Sequence, residues 1–337
     1  MKILVAMSKY HYDPALDEQN VMFGHSVGVV SKLVYDVSKE FGEVDYMDSR
    51  ERIVGKEYDL LIGFPRDFSY LTRYNKFGKT ICYLNIAESK WIKNIMATEA
   101  RKIGCKLSDC FCPRDYYHAD HYFMLGGDFL RKQFTDAGIP SEKITDVNYG
   151  MDAIPFKARN RNEKPVFLHI ATTLGLRKGF YHVYHDFMKA VGEGLDATLH
   201  CIGRIQNEKF WINLVKEAQK NPRITIHGWI ICSDPRYTEL IHNADFYVFP
   251  SLAEGQGGTT MEAISGGCVP IVAREAGFPH YPLGEYIRGD TSVWHKAAAL
   301  PNEDWLRIVG EMQELLKTKY NNKIFKEIIR NKLKEIL

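Results

Sequence analysis

Two glutamates, Glu254 and Glu262, flank a glycine-rich segment, Gly255-Gln256-Gly257-Gly258, that leads from an apolar run into a helix-forming one. Glycines in such a loop let backbone N–H groups come close to a ligand. The helix that starts there presents unpaired N–H donors and the positive end of its dipole, which suits a diphosphate. Each carboxylate accepts two hydrogen bonds and so suits sugar and ribose hydroxyls. The loop can fold Glu254 back so that both carboxylates face one pocket.

The elements that must hold these groups alternate. Apolar runs at 2–7, 58–63, 80–86, 121–125 and 144–149 read as buried strands. Helical spacing at 24–41, 91–103 and 128–137 separates them, the last closed by Gly138. Residues 152–164 are polar and lack an apolar period, so they read as an interdomain linker. Alternation restarts with strands at 166–170, 198–202, 224–227, 246–249 and 269–272, and helices at 179–190, 207–220, 235–242 and 257–265. Two alternating halves predict an α/β fold of two doubly wound, Rossmann-like domains facing across a cleft. The expected division is 1–152, 153–316 and a C-terminal helix over 317–337. That length is ordinary for two domains, since the chain has 337 residues.

Residues 244–277 read Ala-Asp-Phe-Tyr-Val-Phe-Pro-Ser-Leu-Ala-Glu-Gly-Gln-Gly-Gly-Thr-Thr-Met-Glu-Ala-Ile-Ser-Gly-Gly-Cys-Val-Pro-Ile-Val-Ala-Arg-Glu-Ala-Gly. In this strand–loop–helix–strand setting, the Glu-x7-Glu pair resembles that of the retaining glycosyltransferases of the GT-B fold, family 4 of the nucleotide-sugar transferases. The segments 174–180 (LGLRKGF), 226–230 (IHGWI) and 138–152 are similar to further passages of that family. The resemblance covers about 120–280 well and the first 120 residues in architecture only.

The resemblance implies transfer of a hexose from a nucleoside diphosphate sugar, UDP favoured over GDP, to an acceptor hydroxyl with retention and without a metal or other cofactor. It implies that Lys178, with Arg177 beside it, neutralises the donor diphosphate together with the amides of Gly257, Gly258 and Thr259. It assigns Glu262 to the ribose, Glu254 to the donor sugar, and Gly228 and Trp229 to the base. Gly24 and His25 occupy the family's glycine-rich loop near donor phosphates and acceptor. Two departures stand out: Thr172 and Thr173 where the family places an arginine, and Asn85 and Glu88 where it places a histidine. A binding subunit that kept the fold without the activity is the alternative, and a phosphorylase or epimerase on the same scaffold a further one.

Lysine and arginine total 44 against 42 aspartate and glutamate, so no global field favours nucleic acid and none is expected as a partner. The acceptor is left open by the sequence: a polysaccharide or other glycan, a lipid-linked sugar, a protein or a small molecule. The start has no signal-peptide pattern, and no apolar run approaches the roughly 18–20 residues of a membrane span. With seven scattered cysteines, a cytoplasmic chain with reduced thiols is expected. The spacing of Cys105, Cys110 and Cys112 before His118 and His121 fits no common zinc pattern. Near the end, Ile324, Phe325, Ile328, Ile329, Leu333 and Ile336 make a helical stripe among lysines. That helix either packs its stripe on the protein or touches an anionic membrane.

Overall fold

A computed structural model of the chain describes residues 1–9, 12–15, 26–48, 51–66, 68–107, 116–150 and 154–337. The chain forms two compact units. Unit 1 comprises Met1–Lys93, Cys110–Asp152 and Thr318–Leu337; unit 2 comprises Asn94–Asp109 and Ala153–Lys317.

Unit 1 runs β1 (Lys2–Met7), α1 (Ser26–Ser38), β2 (Glu43–Asp48), β3 (Glu57–Gly63), α2 (Phe68–Tyr74), β4 (Lys76–Leu84), the start of α3 (Ser89–Ile103), which from Asn94 on belongs to unit 2, then β5 (His121–Leu125), α4 (Asp128–Asp136) and β6 (Ile144–Val147). Its six strands are parallel, in the order β2-β1-β3-β4-β5-β6. Central strands are apolar throughout because helices cover both faces of a parallel sheet; β5 is buried at all five positions. The edge strand β2 and the short α2 were not expected. In β2, charged and apolar residues mix, and only its last two residues are buried.

Unit 2 runs β7 (Val166–Leu174), α5 (Phe180–Gly192), β8 (Thr198–Ile205), α6 (Lys209–Ala218), β9 (Ile224–Gly228), α7 (Pro235–Asn243), β10 (Phe246–Phe249), α8 (Gly258–Gly266), β11 (Val269–Val272), α9 (Ser292–Ala298) and α10 (Asn302–Lys319). Its five strands are parallel, in the order β11-β10-β7-β8-β9. From β7 the chain winds outward through β8 and β9, then returns to the other side of β7 with β10 and β11. The strand order therefore reverses between β7 and β10, where an open α/β sheet leaves a crevice at its carboxyl edge.

The terminal helix begins later than the lysine run suggested. Lys317 and Lys319 close α10, and α11 (Asn322–Ile336) starts from Asn321, whose side chain accepts a hydrogen bond from Ile324 N at 3.0 Å. Phe325, Ile329 and Leu333 are buried in unit 1, where α11 lies on α1 and β6. Lys326 reaches Asp36 at 3.3 Å, and Arg330 grips Glu40 with two bonds of 2.6 and 2.7 Å. The stripe is thus turned inward; an anionic surface would meet the exposed Lys319, Lys323 and Lys334 instead. Among the described residues no helix is long and apolar enough to cross a membrane.

The segment read as a linker is bound along its length to unit 2. Asp245, fully buried at the start of β10, accepts from Arg159 Nη1 at 2.8 Å, from Asn162 N and Nδ2 at 3.0 Å, and from Val166 N at 2.9 Å. Arg159 also donates to the carbonyls of His242 and Ala244 at 2.7 and 2.6 Å. A buried carboxylate is tolerable only with such partners, and removing one side of a buried pair costs about 3–5 kcal/mol. Asp245→Ala should therefore lower the stability of the chain by about that amount in urea unfolding. A loss below about 1 kcal/mol would mean that the segment is held by other contacts.

Candidate functional site

The carboxyl edge of the second sheet brings together residues from three connections. After β7 comes the turn carrying Arg177 and Lys178, then Gly179, the residue before α5. Gly179 has φ +74°, and a Cβ there would lie 2.3 Å from the Pro250 carbonyl oxygen. The position therefore needs glycine, both for the left-handed backbone and for the close approach of the loop that follows β10. That loop bonds back to the turn: Leu252 N donates to Arg177 O at 2.7 Å, and Ser251 Oγ lies 2.9 Å from the same carbonyl.

This docking places Glu254 on both cations. Arg177 Nη1 and Lys178 Nζ each lie 2.6 Å from Glu254 Oε1, and Ser251 Oγ is 2.9 Å from that oxygen. Burial pushes the Glu254 carboxyl up, but the charges of Arg177 and Lys178, with hydrogen bonds from Lys178 and Ser251, outweigh it and hold the group below its ordinary value. Lys178 is pushed down to about 8, first by burial and then by its Arg177 neighbour, against the pull of Glu254. Its ammonium also lies over the Phe249 ring, 5.2 Å from the centroid. Below it, fully buried His169 holds Val248 O at 2.9 Å through Nδ1. Burial pulls this imidazole down to about 4, so the floor is neutral.

A small cavity of about 210 Å³ opens beside the turn, lined by Thr172, Thr173, Arg177, Lys178, Gln206 and Met96 among others. The two threonines thus stand on the wall where the family resemblance expects an arginine, and the cations of that wall are Arg177 and Lys178.

The glycine-rich segment is braced from the far side. Gly277, φ +75°, passes so close that a Cβ would sit 1.7 Å from Gly255 O. Glu254 N donates to Glu275 O at 3.0 Å. The Glu275 carboxylate is held by Arg288 at 3.1 and 3.3 Å, and Arg288 Nη2 also donates to Ser251 O at 3.0 Å. Gly257 then precedes α8, and no side chain caps the first turn, which Gly258 and Thr259 begin. Thr260 N donates back to Gly257 O at 2.7 Å, and the helix end at Gly258 and Thr259 is the kind that favours an anion.

One turn into α8, Glu262 is buried and accepts from the Tyr237 hydroxyl of α7. Burial raises its carboxyl from 4.5 to about 7, against that bond. Tyr247 links the carboxylates: both charges act on its phenol, which lies 2.5 Å from Thr259 Oγ1 and donates to Ile170 O at 3.3 Å. Gly228 ends β9 and Trp229 follows it, two strands from β7, with the Arg204 guanidinium 4.8 Å from the indole centroid.

Glu254, Arg177 and Lys178 are thus in direct contact. Gly257, Gly258, Thr259 and Glu262 follow on the same loop and helix, and Gly228 and Trp229 stand apart on the same edge. Gly24 and His25 lie outside the described residues, as do Cys110 and Cys112. Among the described residues no three metal-ligating side chains cluster; His121 instead bonds Thr145 Oγ1 at 2.9 Å. In unit 1, Glu88 caps α3, accepting from Lys90 N at 2.9 Å and Trp91 N at 2.7 Å, and takes the Tyr117 hydroxyl at 2.5 Å. Sequence reasoning missed Ser251, Tyr237, Gln206 and the Arg288–Glu275 brace. The acid at 275 sits inside the quoted motif, but its partner lies 13 residues on, with no spacing signal.

Residues 164–321 match a family model described as glycosyl transferases group 1. No curated protein matches the chain. Among solved structures, WaaG, a glycosyltransferase involved in lipopolysaccharide biosynthesis, aligns with a TM-score of 0.63 at 12% identity, covering 98% of each chain. The lipopolysaccharide outer core galactosyltransferase WaaB aligns at 0.59 and 15%, covering 100% of both. A TarM mutant from S. aureus, solved with fondaparinux, alpha-GlcNAc-glycerol and UDP, aligns at 0.57 and 11%; it covers 90% of this chain, which spans 58% of that one. At these identities the likeness is one of fold, two parallel-sheet Rossmann-like domains of the GT-B class.

The raised Glu262 carboxyl has a measurable consequence. The unfolded chain releases this proton near 4.5 and the folded chain near 7. Stability is therefore lost as pH rises between those values. The stability of wild type minus that of Glu262→Gln should fall by about 3 kcal/mol from pH ~4 to pH ~8 in urea unfolding. A difference independent of pH would show that folding leaves the Glu262 carboxyl at its ordinary value.

Proposed function

We propose that the chain is a retaining hexosyltransferase that moves a sugar from a nucleoside diphosphate sugar to an acceptor hydroxyl. The observation that carries this reading is the Glu254 carboxylate seated on Arg177 and Lys178 at the sheet's switch point, directly before the uncapped N-terminus of α8. In one place it supplies cations and amides for a diphosphate and an acceptor oxygen for sugar hydroxyls.

The geometry supports the following roles, which the family resemblance suggests. Among the described residues the three contacts of the Glu254 carboxylate fall on Oε1, which leaves Oε2 to accept from a donor-sugar hydroxyl. Lys178, Arg177 and the amides at Gly257, Gly258 and Thr259 stabilise the charge that grows on the departing diphosphate. Glu262 takes the ribose hydroxyls, and the turn at Gly228 and Trp229 takes the base. The acceptor oxygen bonds to the anomeric carbon on the face that the diphosphate leaves. The carbon–oxygen bond to phosphate breaks, and the acceptor's proton passes to the leaving phosphate oxygen. No enzyme carboxylate is the nucleophile, unlike the paired carboxylates of retaining glycosidases. Gly24 and His25 keep their sequence-based assignment beside the phosphates, and the chemistry calls for no metal.

UDP is the favoured donor nucleotide, as in the TarM complex. A glycan or lipid-linked acceptor fits the lipopolysaccharide roles named for WaaG and WaaB, and a cytoplasmic place, peripheral to a membrane at most, fits such an acceptor. The competing reading is a binding subunit without activity, which Thr172 and Thr173 on the cavity wall favour.

Nucleotide release from UDP-, GDP- and ADP-sugars, with and without a glycan mixture, decides between them. Release from one donor should fall about 100-fold or more in Lys178→Ala and Glu254→Ala. Thermal stabilisation by a nucleotide without release under any condition would support the binding subunit. Neither release nor stabilisation would overturn both readings of the site.

A further inference from the structure

Unit 1 carries a cavity of about 550 Å³ that the proposed reaction does not use. It is lined by Ser69, Tyr70, Thr72, Arg73, Tyr74 and His118. That volume lies within the roughly 300–1,000 Å³ of small-molecule sites. Tyr74 stands just before β4, so the cavity reaches toward the amino edge of the first sheet, away from the carboxyl edge where donor sites of such sheets open.

The walls are held in place before any ligand arrives. Buried Asn75, which follows α2, donates through Nδ2 to Ile53 O and Leu71 O and accepts from Lys56 N, all at 3.0 Å. Gly55 N donates to Tyr74 O at 2.9 Å. The loop before β3 is thereby latched to the end of α2, and it carries Arg52, whose guanidinium lies 4.2 Å from the Tyr70 ring centroid. Tyr70 and Tyr74, one helical turn apart, have ring centroids 4.8 Å from each other.

The chemistry of the lining is one-sided. None of the six residues is acidic. Arg73 is exposed and makes no ion pair among the described residues, whereas the exposed Lys76 nearby is bound to Glu57 at 2.7 Å. Tyr74 is 46% exposed and offers a ring face of negative electrostatic potential, on which the weakly positive C–H face of a sugar ring packs. The Ser69 hydroxyl can donate and accept, and Thr72, whose hydroxyl donates to Phe68 O at 3.1 Å, can accept. Guanidinium groups match carboxylate and phosphate oxygens in pairs.

We propose that this cavity binds an anionic sugar, one bearing a phosphate or a carboxylate. Its ring lies on Tyr74 and its charge on Arg73. A neutral sugar leaves the guanidinium unanswered, and a bare anion leaves the aromatic face uncovered. The site is built from unit 1 residues alone, and the proposal does not depend on sugar transfer.

The test is titration calorimetry on the full chain with glucose 6-phosphate, glucuronate, glucose and inorganic phosphate, each with UDP present in excess to occupy the donor site. Glucose 6-phosphate and glucuronate should bind saturably, and glucose and phosphate about tenfold more weakly or not at all. Arg73→Ala and Tyr74→Ala, both exposed and with the melting temperature checked for an unchanged fold, should each weaken glucose 6-phosphate about tenfold. Equal binding of inorganic phosphate, unchanged affinity in Arg73→Ala, or no saturable binding would each overturn the proposal. Because none of these readouts involves turnover, a failed donor-release assay leaves them interpretable.

Discussion

The arrangement of unit 2 rests on one backbone contact, the seating of the loop after β10 on the turn after β7. These strands are neighbours in space and about eighty residues apart in the chain, and the sheet reverses its order between them. Gly179 permits the approach, and the amide of Leu252 and hydroxyl of Ser251 fasten it to Arg177. Only with that contact made can one carboxylate oxygen meet two cations from another connection. Burying those charges singly would be costly; buried together they compensate one another. The brace of Arg288, Glu275 and Gly277 then holds the same loop from its other side.

The two glutamates of the motif show how environment divides one side-chain type into two. Glu254 keeps its charge because two cations outweigh its burial. Glu262, eight residues on, has only a phenol for company, and its proton stays on to about 7. Tyr247 lies within the field of both. A ligand that offers hydroxyls to Glu262 changes the balance of a group poised to ionise near neutrality. One that offers phosphates to Lys178 draws upward an ammonium that burial has lowered.

Much of this was legible in the sequence, for physical reasons. Strands buried on both faces, such as β5 and β10, announce themselves as unbroken apolar runs, and the glycine-rich loop announces the start of α8. The edge strand β2 did not, because one side of it has no sheet to cover. The spacing of Trp305, Ile308, Val309, Met312 and Leu316 in α10 is that of a helix and was open to reading. The polar composition of 154–164 suggested a loose tether, whereas its arginine and asparagine are fixed to Asp245, a partner about eighty positions away. Pairings at that distance leave no periodic trace. The same holds for Tyr237 on Glu262 and Arg288 on Glu275, so the residues that carry charge were readable and those that set their protonation were not.

The interrupted course of unit 1 bears on the order in which the chain can fold as it is made. Its sheet is complete in strands by β6, yet the patch beneath Phe325, Ile329 and Leu333 is covered only by α11, which follows the whole of unit 2. A nascent chain emerging from the ribosome must therefore carry an unfinished first sheet, with α1 bare on one side, while the second assembles. Unit 2 has no such wait beyond α10. The earlier half is sealed by a helix made after unit 2, so loss of α11 would unsettle the part of the chain that was made long before it.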